Sequence, residues 1–355
     1  MKVITRILIS ILFVSNAFFA QDYESTNSSL DIGFASSGLS FGNSKVWNGI
    51  RFNISDDNIE EINGINITFW QPEYVDGSEI NGIAFGLAPS AGNINGVAIG
   101  LGNVTEEDIV GVNLGMLASV SGGGMFGLNY GSLALVAEGD ITGVSFGGLA
   151  QVSQGGITGI NFGGLALVSE GEISGLNFGG LAQVSQAGIN GINIGGLALV
   201  SEGGIYGANL GGLALVSQEE ITGVNIGGLA LVSEDEITGI NIGGLAIVSQ
   251  AGIIGLNLAV GTLVSEGEIA GISFGGYKTE SLELTGSNIS IGWTEIEELN
   301  GFSFAGYNQI YAQNGLTIGL VNFAEILHGI QIGLINIAES NPVPFRVLPF
   351  INANF

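Results

Sequence analysis

An all-β repeat fold is what this sequence predicts, and three observations predict it: a glycine column of fixed period, apolar residues alternating between those glycines, and very little proline. Gly143, Gly159, Gly175, Gly191, Gly207, Gly223, Gly239, Gly255 and Gly271 follow one another every sixteen residues, with looser copies at Gly111 and Gly127. Such self-similarity marks one supersecondary unit stacked many times against its own copies. A helix is the poorer reading, since two or three glycines inside each run would each cost ~1 kcal/mol relative to alanine. With 5 Pro and 62 Gly among 355 residues, strands and tight turns are favoured.

Composition removes several function classes. The formal charge of -26 repels phosphate backbones, so nucleic acid is not an expected partner. The absence of cysteine removes disulfides, thiol nucleophiles and zinc–thiolate sites. A single histidine, His328, makes neither a His-rich metal site nor an ordinary catalytic triad.

Along the chain, Lys2 and Arg6 precede an apolar run over 7–14 and the stretch Ser15-Asn16-Ala17-Phe18-Phe19-Ala20. That is the layout of a secretory signal peptide spanning 1–20, cleaved after Ala20. Every later hydrophobic run is interrupted by Gly, Asn, Ser or Glu, well short of the ~18 apolar residues of a helical membrane span. An N-terminal segment, 21–44, leads into a glycine-rich repeat domain over 45–340, most regular over 109–276, and a C-terminal strand or tail occupies 341–355. Between Arg51 and Lys278 there is no cation, so the acidic groups there must sit in water.

Within one repeat, twelve residues alternate and four form a turn. In the copy beginning at Ile141 one face carries Thr142, Val144, Phe146, Gly148, Ala150 and Val152, and the other Ile141, Gly143, Ser145, Gly147, Leu149 and Gln151. The first face is apolar and the second mixed. A column of small polar residues runs through Asn161, Asn177, Asn193, Asn209, Asn225, Asn241 and Asn257 to Ser273. The turns alternate strictly between Gln154, Gln186, Gln218, Gln250 and Glu170, Glu202, Glu234, Glu266. Two ends of different chemistry follow directly from an antiparallel up-and-down meander of about 20 strands, closed as a β-barrel because open sheets of that size are uncommon. Strands of about ten residues and a chain ending in Phe355 place such a barrel in an outer membrane, with membrane lipid as its partner. The alternative is a parallel β-solenoid with 16-residue coils, in which alternating Gln with Glu halves like-charge stacking. Under the antiparallel reading, either Gly143-type glycines oppose the large side chain at repeat position nine or eleven, or Gly148-type glycines oppose that at position six or four.

The repeat unit of glycine, hydrophobic, polar, hydrophobic, glycine, two hydrophobics and asparagine is clearest from Gly329 through Gln331 and Gly333 to Asn336. It resembles the short repeats of a bacterial surface-repeat family known from spirochaetes and other Gram-negative groups, and the ending through Asn352 to Phe355 is similar to the tail of exported members. The resemblance covers most of the mature chain, although the sixteen-residue repeats depart from the family's usual spacing. It implies a cell-surface location and no particular activity.

Candidate sites have plain structural readings beside the chemical ones. His328 with Glu325 could form a base and its carboxylate partner, but no nucleophile accompanies them, and a strand-end histidine is the simpler reading. Acidic clusters at Asp56-Asp57, Glu106-Glu107-Asp108, Glu234-Asp235-Glu236 and 295–298 could hold a divalent cation such as calcium, yet lack the spaced Asp–Gly pattern of calcium-binding solenoids. Runs such as Phe162-Gly163-Gly164 lack the lysine of a phosphate loop. The expected function is therefore a non-enzymatic outer-membrane or cell-surface protein with a structural role and no catalytic, cofactor or metal residues. The alternative is an extracellular β-solenoid adhesin or binding module with an acidic edge.

Overall fold

The computed structural model describes residues 29–70 and 77–355, so the expected export signal lies outside the described residues. The chain divides into two compact units, Met1–Thr158 and Gly159–Phe355. Among the described residues there is no helix, and strands recur at the expected period.

In the second unit each repeat is one coil. A seven-residue strand such as Ile173–Gly179 runs into a two-residue corner, a four-residue strand such as Ala182–Ser185 returns, and a three-residue turn leads to the next coil at Ile189–Gly195. Neighbouring coils pair in parallel with identical positions in register: Ile173 with Ile189, Gly175 with Gly191, Asn177 with Asn193. The short strands do the same, Ala182 with Ala198 and Ser185 with Ser201. This is a parallel β-solenoid, and the antiparallel meander closed as a barrel is corrected.

Two physical reasons decide it. Antiparallel pairing would set each repeat asparagine opposite a glycine or a leucine, leaving buried amides without partners at about 1–3 kcal/mol each, whereas parallel stacking sets amide on amide. The corner also limits the longer strand to seven residues, short of the ~9–11 a barrel strand needs to cross a bilayer. The turn residues follow suit. Backbone bonds run from Gln186 N to Ser169 O (3.2 Å) and from Glu202 N to Ser185 O (3.0 Å), which lays Glu170, Gln186 and Glu202 side by side on one edge instead of at two ends. Alternation then spaces the glutamates by two coils, ~9.6 Å, about a screening length in salt.

Like meets like also at the glycines, so the expected pairing of glycine with a large side chain is corrected. Gly175 has φ +109°, and a Cβ there would lie 2.1 Å from the carbonyl oxygen of Gly159. A side chain is therefore barred twice, by the backbone conformation and by the coil beneath.

The faces differ from strict alternation too. Val144 is 47% exposed and Phe146 42%, while Ser145 between them is fully buried. The corner at Gly148-Leu149 then breaks the alternation, turning Leu149 outward and Gln151 inward. The interior is narrow: one column of Ile173, Ile189, Ile205, Ile221, Ile237, Ile253 and Ile269, and one of Leu167, Leu199, Leu215, Leu231, Ile247 and Leu263 interrupted by Gln183, all buried. Each such aliphatic side chain contributes about 1.5–3 kcal/mol on burial.

Beyond Gly275 the coils tighten. Lys278 pairs with Thr262 sixteen residues back, but Gly286 pairs with Gly271 and Gly301 with Gly286, fifteen apart. The strand Trp293–Ala338 is 46 residues long and would extend ~150 Å if straight. Instead it winds onto itself with a fourteen-residue coil, Asn308 bonding Asn322 and Asn322 bonding Asn336. The final strand Val347–Asn354 lies antiparallel on this winding, Gly329 opposite Asn354 and Ile337 opposite Val347, and covers a stack end that would otherwise expose unpaired backbone.

The first unit uses the same device with less even coils. Gly38, Gly49, Gly64, Gly82, Gly96, Gly111, Gly127 and Gly143 pair in succession. Trp47, Ile62, Ile80, Ile94, Ile109, Met125 and Ile141 stack beside them, each at most 3% exposed. Here too the outermost described strand, Ser29–Phe34, is antiparallel, paired with Ser37–Gly42.

Candidate functional site

The residues that the sequence offered as candidates lie apart from one another. His328 and Glu325 both project outward from the winding strand and are exposed. Asp56 is buried against Arg51 (2.5 Å, both fully buried) with Asn66 and Thr68 hydrogen-bonded to the same carboxylate, a structural ion pair in the first unit. Asp31 is held below the usual carboxylate range: burial works against its charge, but hydroxyls of Ser40, Ser44 and Ser29 and the Arg51 charge outweigh it. Asp108 accepts the backbone N–H of Gly124 and Glu107 the amide of Asn93. No group of three His, Asp or Glu among the described residues is placed to hold a metal ion.

What the coils do assemble is three columns of repeated chemistry. The first is internal. In the second unit Asn161 donates to Asn177 (2.9 Å), Asn177 to Asn193 (2.8 Å), and the chain continues through Asn209, Asn225, Asn241 and Asn257 to Ser273. Several amides spend their second N–H on a backbone carbonyl of the next coil, as Asn193 does on Tyr206. The asparagine column is thus a structural ladder inside the stack.

The second column is the turn edge. Ser185, Ser217, Ser233 and Ser249 turn inward, each hydroxyl donating to a carbonyl of the preceding turn. Ser185 and Ser249 also accept backbone N–H groups of their own turn, which fixes a tight reversal and leaves the flanking residues outside. Glu202, Glu219, Glu234, Asp235, Glu236 and Glu266 lie along this edge, exposed. Tyr206 donates to Glu220 (2.9 Å); burial, that bond and the charges of Glu220, Glu219 and Asp235 push its hydroxyl up to about 12.

Lys278 lies at the corner end of the short strands, paired with Thr262. Its ammonium bonds Glu280 (2.7 Å) and Glu295 (2.8 Å) and lies 4.6 Å from the Trp293 ring centre. Burial disfavours the charge, yet the two carboxylates outweigh it and hold Lys278 above the usual lysine range. Beside it an open cleft of about 530 Å³ is lined by Glu266, Glu280, Glu295, Glu297, Tyr311 and Glu325.

The third column is apolar and faces outward. Leu181, Leu197, Leu213, Leu229 and Leu245 occupy successive corners, tied by backbone bonds of 2.6–2.7 Å, and Ile192, Val224, Ile240 and Leu256 stand on the adjoining strands, all exposed. Alternation in the sequence carried the signal for these residues, but not which side of the sheet is solvent. No family model, no curated protein and no solved structure matches the chain.

Proposed function

We propose that this chain is an exported, non-enzymatic β-solenoid of a bacterial cell surface, with an adhesive or structural role and the acidic turn edge as its contact surface. The observation that carries this reading is the stacking of Glu170, Glu202, Glu219, Glu234, Glu236 and Glu266 on one edge, with no lysine or arginine between Gly159 and Tyr277 to neutralise them. A fixed row of carboxylates attracts cationic surfaces over a screening length and repels anionic ones. The signal-like residues 1–20 and the resemblance to exported surface repeats support the location. A solenoid serves such a role because added coils extend one surface without altering its chemistry.

Two experiments test it. Protease treatment of intact cells should remove the protein while leaving a periplasmic marker untouched; full protection would contradict surface exposure. Binding of the purified chain to a decalysine peptide should weaken steeply with salt and fall at least tenfold when Glu202, Glu219, Glu234 and Glu236 are replaced by Gln. Equal binding by that variant would remove the acidic edge from the proposal.

A further inference from the structure

The outward apolar columns of the second unit are out of place on a water-facing sheet. In register, Leu176, Ile192, Ala208, Val224, Ile240, Leu256 and Ile272 form one column. Phe178, Ile194, Leu210, Ile226, Ile242 and Leu258 form a second, two residues along on the same face. The corner leucines make the third, each about 45–59% exposed. No charged residue interrupts any of the three, because every charge between Gly159 and Gly276 sits in a turn or, as Glu268 does, at the first residue of a strand. Together the columns expose on the order of 1,000 Å² of aliphatic and aromatic side chain, against a few hundred Å² for the largest apolar patch of a typical monomer.

We infer that this face is the self-association surface of the protein, covered by the same face of a second copy. Three arguments select that occupant. The exposed area exceeds the ~800 Å² per partner of a standard stable interface. The side chains recur at the ~4.8 Å strand spacing, and a second copy turned about a two-fold along the stack presents its coils at the same heights, so its columns seat beside these columns as facing sheets interdigitate ~10 Å apart. Charge sets the orientation. The acidic turns lie at one end of each seven-residue strand and the corner leucines at the other. A two-fold parallel to the stacking direction therefore holds the two acidic edges about 20 Å apart, more than two screening lengths at physiological salt. The columns offer no cation to a phosphate headgroup, which sets a bilayer below a second copy as occupant.

The test is the mass of the full mature chain in solution. Sedimentation equilibrium at micromolar concentration should return twice the monomer mass. Leu197→Lys with Leu229→Lys, placed two coils apart on exposed positions, should weaken association at least a hundredfold while leaving the β circular-dichroism spectrum unchanged. Because the chain has no cysteine, Ile226→Cys in the middle column supplies an independent reading: beside the two-fold it should oxidise to a disulfide-linked dimer without disturbing the fold. A wild type that stays monomeric, a dimer indifferent to the lysines, or an Ile226→Cys chain that does not cross-link would each overturn the inference. Wild-type monomer that co-sediments with phosphatidylethanolamine vesicles, with loss of binding in the lysine variant, would assign the face to lipid instead.

Discussion

Two regions of the second unit solve the same stacking problem with different coil lengths. Over 173–275 each coil has sixteen residues and closes on a turn of two or three residues, acidic in most coils; over 301–336 it has fourteen and winds as one unbroken strand. In the longer coil the laddered asparagine stands two residues after the column glycine, as Asn177 after Gly175; in the shorter it stands seven after, as Asn322 after Gly315. Ser303 makes the handover, accepting from Asn288 (3.4 Å) and donating to Asn308 (2.7 Å). What both regions keep is a glycine on the coil beneath and a continuous buried chain of amides. Turn residues are dispensable to the stack, so the acidic edge is an addition to it and not its cause.

The largest effect should come from the glycines, and it should be the same in both regions. Gly175→Val and Gly315→Val each place a Cβ about 2 Å from a carbonyl oxygen at positive φ, so each should cost more than about 4 kcal/mol or abolish folding in urea titrations. Gly252→Ala, whose Cβ would have nothing nearer than 3.4 Å, should stay within about 1 kcal/mol. A tolerated Gly175→Val beside a lethal Gly315→Val would break the equivalence.

Next are the ladders. Asn209→Ala leaves a donor on Asn193 and an acceptor on Asn225 unpaired, and Asn322→Ala does the same to Asn308 and Asn336. Each should lose about 2–4 kcal/mol by chemical denaturation. At the junction between the regions, Lys278→Met should cost about 1 kcal/mol, shrinking in high salt as expected for a partly exposed ion pair.

The smallest effect is confined to the longer coils and to alkaline pH. The Tyr206 hydroxyl titrates near 10.0 when unfolded and near 12 when folded, so its contribution is fully present below pH 10 and is lost as pH rises through 12. Melting temperature should fall over that window in the wild type and fall less in Tyr206→Phe.

Much of this was legible from one chain. The glycine column, the sixteen-residue period and the turn positions came directly from spacing, because a backbone conformation closed to side chains leaves a mark at every repeat. Strand direction did not. The alternation of Glu170 with Gln186 arises equally from two ends of a meander or from charge spacing on one edge, and only pairing partners separate the two. The exposed face was hidden for a related reason: alternation separates an apolar face with Val144 and Phe146 from a mixed one with Ser145, and only the stacking of each amide on an identical partner in the next coil turns the mixed face inward. The acidic edge was visible as composition, and its continuity depends on that parallel register.

The register is therefore the claim to measure. Spin labels on Gln186→Cys and Glu266→Cys, introduced into a chain with no other cysteine, sit in turns five coils apart. Pulsed dipolar spectroscopy should give a narrow distribution centred near 24 Å, five steps of ~4.8 Å. A distance near 40 Å, with the two turns at opposite ends of antiparallel strands, would contradict the parallel stack.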